Sequence, residues 1–136
     1  AAVIISGKKK NDPESIATLW VIPGEPVTSI AVPLWVEAGS TSVPLYEGET
    51  APLYKESFRL KDLIHPFKEG SKKNYLNTSV LLNREGTGFL KILLETEKKI
   101  FNETAKFLAN KHTPQEYAAF QTKMTELALN TLKQIK

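Results

Sequence analysis

The side chains that most often perform acid–base, nucleophilic or metal chemistry are scarce in this chain, which has two histidines and no cysteine. His65 precedes Pro66 at the predicted end of a helix, and His112 follows a longer predicted helix. An imidazolium is favoured at the negative pole of a helix. We therefore predict that both histidines cap helices. The lack of cysteine excludes disulfides, thiolate nucleophiles and thiolate metal sites, and two histidines cannot build a His-rich metal site.

The carboxylates are not spaced as a catalytic pair. Glu95 and Glu97 lie two residues apart on a predicted helix and cannot face each other. Glu56 and Asp62 are no better placed for paired acid and base work. We expect these side chains to be solvated.

Hydroxyl-rich and glycine-rich segments give no stronger signal. Residues 40–42 (STS) supply hydroxyls without a nearby base, and residues 86–88 (GTG) match neither phosphate-loop signature. The lysine run at 8–10 is typical of a solvated loop, and Trp20 and Trp35 are predicted to be core residues. The sequence predicts no catalytic, cofactor-binding or metal-binding residue and no cofactor.

Length and composition indicate a single ordinary domain. A chain of 136 residues can bury roughly two-thirds of its unfolded surface around one core. Its hydrophobic content of 41% and charged content of 24% are close to globular averages. No apolar run approaches the length of about 18 residues that a membrane span needs, so no membrane partner is predicted. The composition does not favour any one cellular compartment for the protein.

The formal net charge is +3, and almost all of the positively charged residues are lysines. Only Arg59 and Arg84 among the 18 cationic residues could grip phosphate or guanine with two hydrogen bonds. This is a poor inventory for sequence-specific nucleic-acid recognition, so no nucleic-acid partner is predicted.

Residues 1–46 read as strands, because Val, Ile, Trp and Leu alternate with turns rich in Pro and Gly. Three strands are predicted, at residues 2–6, 16–22 and 27–36. Residues 8–13 would form the first turn, and residues 23–26 (PGEP) a tight turn with Gly24 at positive φ. Pro33 lacks an amide hydrogen, which places the third strand at a sheet edge or at a bulge.

Residues 47–136 are predicted to be mainly helical. The helices are expected at 56–64, at 87–110, and from Pro114 to the end of the chain, while residues 75–82 fit a short helix or a strand. Thr113 and Glu116 form a capping-box pattern, and the last two helices should pack as an antiparallel hairpin. The buried stripe of the helix at 87–110 is predicted to contain Leu90, Leu93, Leu94, Phe101, Ala105 and Leu108. The fold class is therefore α+β, with an antiparallel sheet packed against helices.

Several segments within residues 1–95 resemble the carboxy-terminal part of bacterial linear amide C–N hydrolases. These proteins are Ntn-hydrolase relatives of choloylglycine hydrolase and of the acyltransferase that acylates aminopenicillanic acid. The similar segments are VIISG (3–7), ATLWVIPGEP (17–26), SIAVPLWV (29–36), APLY (51–54), LKD (60–62), YLN (75–77) and LLN (81–83).

The resemblance implies two stacked antiparallel sheets between helical layers, with cleavage of non-peptide amides by an amino-terminal cysteine that self-processing exposes. This chain has no cysteine, and Ala1 carries no nucleophile. No catalytic residue is therefore transferred from the family. The chain is expected to be the distal segment of a larger Ntn-hydrolase-like protein, and the resemblance is compatible with a periplasmic or secreted location.

Two functions follow. In the first, the chain is part of an amide hydrolase or acyltransferase whose nucleophile lies on an upstream segment. In the second, it is a noncatalytic domain of the same ancestry that binds a ligand or a protein. Because the two Trp-containing strands are apolar on both faces, we expect them to be exposed on one face. An upstream segment or a second copy of the chain would then cover this strand region.

Overall fold

A computed structural model of the chain describes residues 1–11, 16–67, 69–72 and 74–136. Over these residues the chain forms three β-strands, four α-helices and short 3₁₀ helices. The strands are β1 (Ala2–Ser6), β2 (Thr18–Ile22) and β3 (Val32–Leu34), and the α-helices are α1 (Pro52–Ile64), α2 (Thr78–Leu81), α3 (Leu90–Phe107) and α4 (Pro114–Gln134). The α+β class is confirmed at this level. The predicted turn at 8–13 includes residues 12 and 13, which lie outside the described residues.

The described strands form one antiparallel sheet in the order β1-β2-β3. Ile4 lies opposite Trp20, and Trp20 lies opposite Pro33. Because side chains alternate along a strand, these three residues share one face, while Val3 and Ile5 point to the other. The bounds of β1 are those predicted, and β2 begins two residues later than expected.

The third strand is much shorter than the predicted 27–36. Only Val32–Leu34 pairs with β2, and Pro33 lies in an edge strand, as its missing amide hydrogen predicts. A 3₁₀ helix at Pro26–Thr28 takes the place of the expected strand start. Backbone pairing is also lost at Ala31, whose N–H donates 2.9 Å to a carboxylate oxygen of Glu97 on α3.

The connection between β2 and β3 is longer than the tight turn that PGEP suggested. It runs over residues 23–31, and Gly24 has the predicted positive φ, at 98°. Position 24 must also be small, because a Cβ there would overlap the Ser57 side chain on α1. The connection is therefore fitted closely to α1.

The buried stripe of α3 differs from the predicted one. Leu93 is buried as expected, and it is joined by Ile100 and Thr104. Leu94 and Phe101 are 54% and 42% exposed. Ala105 is also exposed, and both Ile100 and Thr104 were left out of the prediction, so the predicted stripe lies about one residue around the helix from the observed one.

Helix α4 packs against α1, α3 and β3. The contact of Thr96 with Thr131 at one end, and of Phe107 with Tyr117 at the other, shows that α3 and α4 run antiparallel, as predicted. The predicted capping box is also present. The Glu116 carboxylate accepts from Thr113 N–H at 2.7 Å, and Thr113 Oγ1 accepts from Glu116 N–H at 3.3 Å.

The structure settles the alternative that the sequence left open at residues 75–82, since residues 78–81 form the helix α2 rather than a strand. Residues 43–45 form a 3₁₀ helix. The Phe89 N–H donates 3.0 Å to the Val80 carbonyl, which ties α2 to the start of α3.

The main core lies between the β3 side of the sheet and helices α1, α3 and α4. Its fully buried members include Ile30, Val32, Leu53, Leu60, Ile100, Met124, Ala128 and Leu132. A smaller cluster forms around Trp35 and Tyr117.

The side chains of the sheet are largely buried at β3 and exposed at β1. Val32 and Pro33 point to opposite faces, and both are buried. Trp35, which directly follows β3, is 4% exposed, and every residue of β2 and β3 is buried or half-buried. The expectation that the Trp-containing strands would be open on one face is therefore wrong. The exposed strand is β1.

Gly88 provides a test of the close contact between α2 and the start of α3. A Cβ at this position would overlap the backbone of Leu81. We expect Gly88→Ala to lower the free energy of unfolding by about 2 kcal/mol, the usual cost of overpacking, measured by urea denaturation. The matched control is Gly7→Ala, since a Cβ at Gly7 meets no atom within 4 Å. Equal effects of the two substitutions would contradict the contact.

Candidate functional site

Trp35 is the centre of an aromatic cluster where β3 meets the hairpin of α3 and α4. Its ring centroid lies 5.8 Å from Phe107, 5.3 Å from Tyr117 and 5.9 Å from Phe120. The indole N–H donates 3.0 Å to Thr18 Oγ1 on β2. Buried Trp normally needs such a partner. Trp35 is therefore a satisfied core residue, as the sequence predicted.

Gln121 on α4 holds the chain that follows β3. Its side-chain oxygen accepts from the backbone N–H of Trp35 at 3.4 Å, and its side-chain nitrogen donates to the backbone carbonyl of Ser40 at 2.5 Å. Gln121 is 1% exposed. The sequence analysis missed this residue, because a glutamine within an amphipathic helix gives no sign of which backbone groups it will meet.

Within residues 40–42, the hydroxyl of Ser42 contacts another hydroxyl rather than a base. Ser42 Oγ lies 3.5 Å from Thr122 Oγ1 on α4. A serine nucleophile needs an adjacent base to remove its proton. The contacts of Ser42 fit a loop anchor.

His112 performs the capping role predicted for it. Its Nε2 lies 2.7 Å from the carbonyl oxygen of Phe107, the last residue of α3, and its ring stacks on the Phe107 ring at 3.7 Å. Its Nδ1 lies 3.7 Å from the Glu116 carboxylate. Both ring nitrogens therefore face groups that fix the end of α3 against the start of α4.

A cleft of about 930 Å³ opens beside His112, between the end of β1 and the end of α3. Its lining includes Lys9, Lys111 and the buried Tyr117. Burial, and secondarily the Glu37 charge, raise the pKa of Tyr117 above its usual value, so its phenol stays protonated at neutral pH. Among the described residues that line the cleft, neither His112, which contacts Phe107 and Glu116, nor Tyr117, whose pKa is raised, is activated for covalent chemistry.

Glu25 organises a second polar group, in the connection between β2 and β3. Its carboxylate lies 2.7 Å from Lys61 Nζ and 3.8 Å from His65 Nε2. The hydrogen bond to Glu25 raises the pKa of Lys61. Nearby, Thr28 Oγ1 and Ser57 Oγ lie 3.1 Å apart and are buried. These contacts attach the connection to α1.

His65 follows α1 as predicted, but its capping contact comes from the backbone. The His65 N–H donates 3.0 Å to the Lys61 carbonyl, while the imidazole faces Glu25.

The expectation of solvated carboxylates holds for Glu95, whose side chain is 67% exposed. It is wrong for Glu97, which accepts from Ala31 N–H, and for Glu56, whose side chain is 18% exposed and lies 2.8 Å from Arg59 Nε. The contact of Glu97 could not be predicted from the sequence, because Ala31 is distant in the chain and the sequence does not show that its N–H lacks a strand partner. The contact of Glu56 with Arg59 is a local i,i+3 pair within α1, which the spacing allows.

Residues 86–88 form the loop-to-helix junction that was expected. Asn83 Oδ1 accepts from Thr87 N–H at 2.9 Å, and Asn83 Nδ2 donates to Thr87 Oγ1 at 2.7 Å. The segment is held by its own side chains and presents no phosphate cradle.

Within the described ranges, no group of three or more His, Asp and Glu side chains is arranged to hold a metal ion. No helix in the part of the chain that the structure describes is long and apolar enough to cross a membrane. Comparison of the chain with protein-family models, with curated proteins and with solved structures finds no match.

Gln121 tests whether polar side chains of α4 hold the chain after β3. In Gln121→Leu the buried backbone N–H of Trp35 and the part-buried carbonyl of Ser40 would both lose their partner. We expect a loss of about 2 kcal/mol in the free energy of unfolding, the cost of unsatisfied buried groups, measured by urea denaturation. Gln115→Leu, on the exposed start of α4, is the control and should change stability little. A loss no greater than that of the control would show that Gln121 does not anchor this segment.

The capping box predicts a specific pH dependence. Hydrogen bonds from the backbone and side chain of Thr113 lower the pKa of Glu116 below its ordinary 4.5. Its stabilising contribution is therefore full above the unfolded pKa and is lost as the pH falls through the lower folded pKa. In Glu116→Gln the amide can keep the hydrogen bond but cannot titrate, so we expect a smaller loss of stability between about pH 6 and pH 3.

Chemical denaturation across this pH range provides the measurement. Glu95→Gln is the control, because Glu95 makes only a long, exposed contact with Lys91, at 3.9 Å. The assignment would be wrong if Glu116→Gln kept the full acid sensitivity of the parent chain.

Proposed function

We propose that this chain is a noncatalytic, carboxy-terminal part of an Ntn-type hydrolase or acyltransferase that acts on linear amide C–N bonds. The nucleophile lies on another polypeptide segment. The amide-hydrolase class rests on the resemblance of the segments at 3–36 and 51–83. The two most extensive of these segments, 17–26 and 29–36, contain β2, β3 and most of their connection.

The observation that carries the noncatalytic assignment is how the candidate chemical groups are used. His112 binds the end of α3, Glu97 binds the Ala31 backbone, and Ser42 contacts a threonine. A catalytic nucleophile or base needs a side chain available to substrate. In the described residues these groups instead fasten helices and loops to the sheet.

In this proposal the antiparallel sheet and the hairpin of α3 and α4 provide one sheet and one helical layer of an αββα sandwich. A second sheet and the amino-terminal cysteine would come from the other segment. Because Val32 and Pro33 are already buried, the additional strands would join the sheet on the β1 side.

A noncatalytic binding domain of the same ancestry is the second candidate function. The observation that favours it is β1, where Val3, Ile4 and Ile5 are 58%, 57% and 72% exposed. Exposed apolar strands of this kind often mark an interface.

Amide hydrolysis by the purified chain is the first test of the proposal. We expect no release of amine from a panel of N-acyl linear amides, because the chain has no cysteine and no described nucleophile–base pair. A fluorogenic reagent for primary amines would measure release. Turnover that follows the chain through a final size-exclusion column would overturn the noncatalytic assignment.

The product of the complete natural reading frame separates the two candidate functions. For the hydrolase, mass spectrometry should find a processed segment that begins with cysteine, and replacement of that cysteine by alanine should abolish both processing and amide hydrolysis. A complete product that has neither such a cysteine nor amide hydrolysis would reject the hydrolase and leave the binding domain.

A further inference from the structure

The edge of β1 combines three properties that are rarely left together on a protein surface. Among the described residues β1 pairs only with β2, so the backbone on its other side has no strand partner. Its central side chains are exposed on both faces of the sheet, with Ile5 at 72%. Its five residues, AVIIS, include neither a charge nor a proline.

Soluble proteins usually protect such an edge. Inward-pointing charges, prolines, bulges or a covering helix prevent unwanted pairing with other chains. In β1 the alternation of Val3, Ile4 and Ile5 instead makes both faces suitable for packing against β-branched neighbours. The edge is therefore built to accept a strand rather than to repel one.

We infer that β1 is a docking edge for an extended apolar segment of another polypeptide, which adds to the sheet antiparallel to β1. The antiparallel direction continues the pattern of both existing strand pairs. Addition of a strand to an open edge gains affinity from main-chain hydrogen bonds and specificity from alternate side chains. The surface would serve either of the two functions proposed above, so the inference does not rest on amide chemistry.

The register defines what the docked segment should contain. Its residue opposite Ile4 would extend the row formed by Ile4 and Trp20, and Trp20 already contacts Phe101 of α3 at 4.5 Å. The neighbouring residues would lie beside Val3 and Ile5 on the opposite face. The segment should therefore be apolar on both faces over the length of β1.

The charge next to β1 indicates which residues should precede the docked segment. Lys8 and Lys10 follow β1 and are exposed. A segment antiparallel to β1 begins at this end, so acidic residues immediately before it would face the lysines. A second copy of the chain would bring uncharged side chains to the same place, since no Asp or Glu lies in residues 1–11.

Size also favours an extended segment over a second folded copy. Stable interfaces between folded proteins bury about 800 Å² on each partner. The edge of β1 is five residues long. Such an edge suits a segment that gains affinity through main-chain pairing rather than through a broad contact.

A peptide-binding experiment tests this inference without any amide hydrolysis. The probe is a fluorescent peptide in which a run of glutamates precedes alternating isoleucine and threonine. Fluorescence anisotropy gives its affinity, and hydrogen exchange reports protection of the amides in residues 2–6. Ile5→Lys should weaken binding about tenfold, because it removes an apolar cross-strand contact and interrupts the apolar face.

Two controls make the result specific. Leu82→Lys changes a similarly apolar residue that directly follows α2 and is 65% exposed, and it should leave binding unchanged. A peptide with lysines in place of the glutamates should bind more weakly at low salt. Circular dichroism establishes that each variant is folded, and Val3→Lys provides a second substitution in the same edge.

Three results would overturn the inference. The first is no binding of the acidic peptide. The second is failure of the edge-specific readouts, which means either equal loss of binding in Ile5→Lys and Leu82→Lys or no protection of the amides in residues 2–6. The third is a dimer in analytical ultracentrifugation that Ile5→Lys dissociates, which would assign β1 to a second copy.

Discussion

The fold depends on how the buried chain around β3 satisfies its backbone hydrogen bonds. This segment is buried on both faces, but among the described residues it pairs with only one strand, over three residues. Buried backbone groups without partners are costly. Helix side chains supply partners on both sides of β3, because Glu97 accepts from Ala31, and Gln121 bonds to Trp35 and Ser40.

This arrangement explains why the two long helices must pack as they do. Glu97 belongs to α3 and Gln121 to α4, so each helix must present a polar side chain to the sheet at a fixed position. The aromatic contacts of Phe107 with Tyr117 and Phe120 then fix the hairpin at the end nearest Trp35. Apolar packing stabilises the helices, while the two polar contacts select their rotation and register relative to β3.

Local signals in the sequence predicted the features that local chemistry controls. The bounds of β1, the positive φ of Gly24, the capping box at Thr113 and the end of α1 before His65 all depend on residues close in the chain. The α+β class and the helical hairpin followed from the change of periodicity near residue 46.

Long-range polar contacts account for most of what the sequence could not predict. The length of β3 and the role of Gln121 depend on which backbone groups lack a strand partner in the folded chain. Thr104 is a different case, since it is 1% exposed and its buried hydroxyl makes no hydrogen bond, although a hydropathy pattern places it outside the core. The absence of a predicted catalytic residue rested on cysteine and histidine counts, which require no knowledge of the fold.

The two edges of the sheet also differ in whether their polar groups already have hydrogen-bond partners. At β3 the polar side chains that could perform chemistry are committed to the backbone, and their removal would expose buried groups rather than a reactive centre. At β1 the backbone edge is accessible and the neighbouring side chains are apolar, so recognition there would use main-chain pairing and burial. Among the described residues, polar contacts from α3 and α4 therefore hold the segment around β3, while the edge of β1 stays accessible, which is what the proposed docking of a further strand requires.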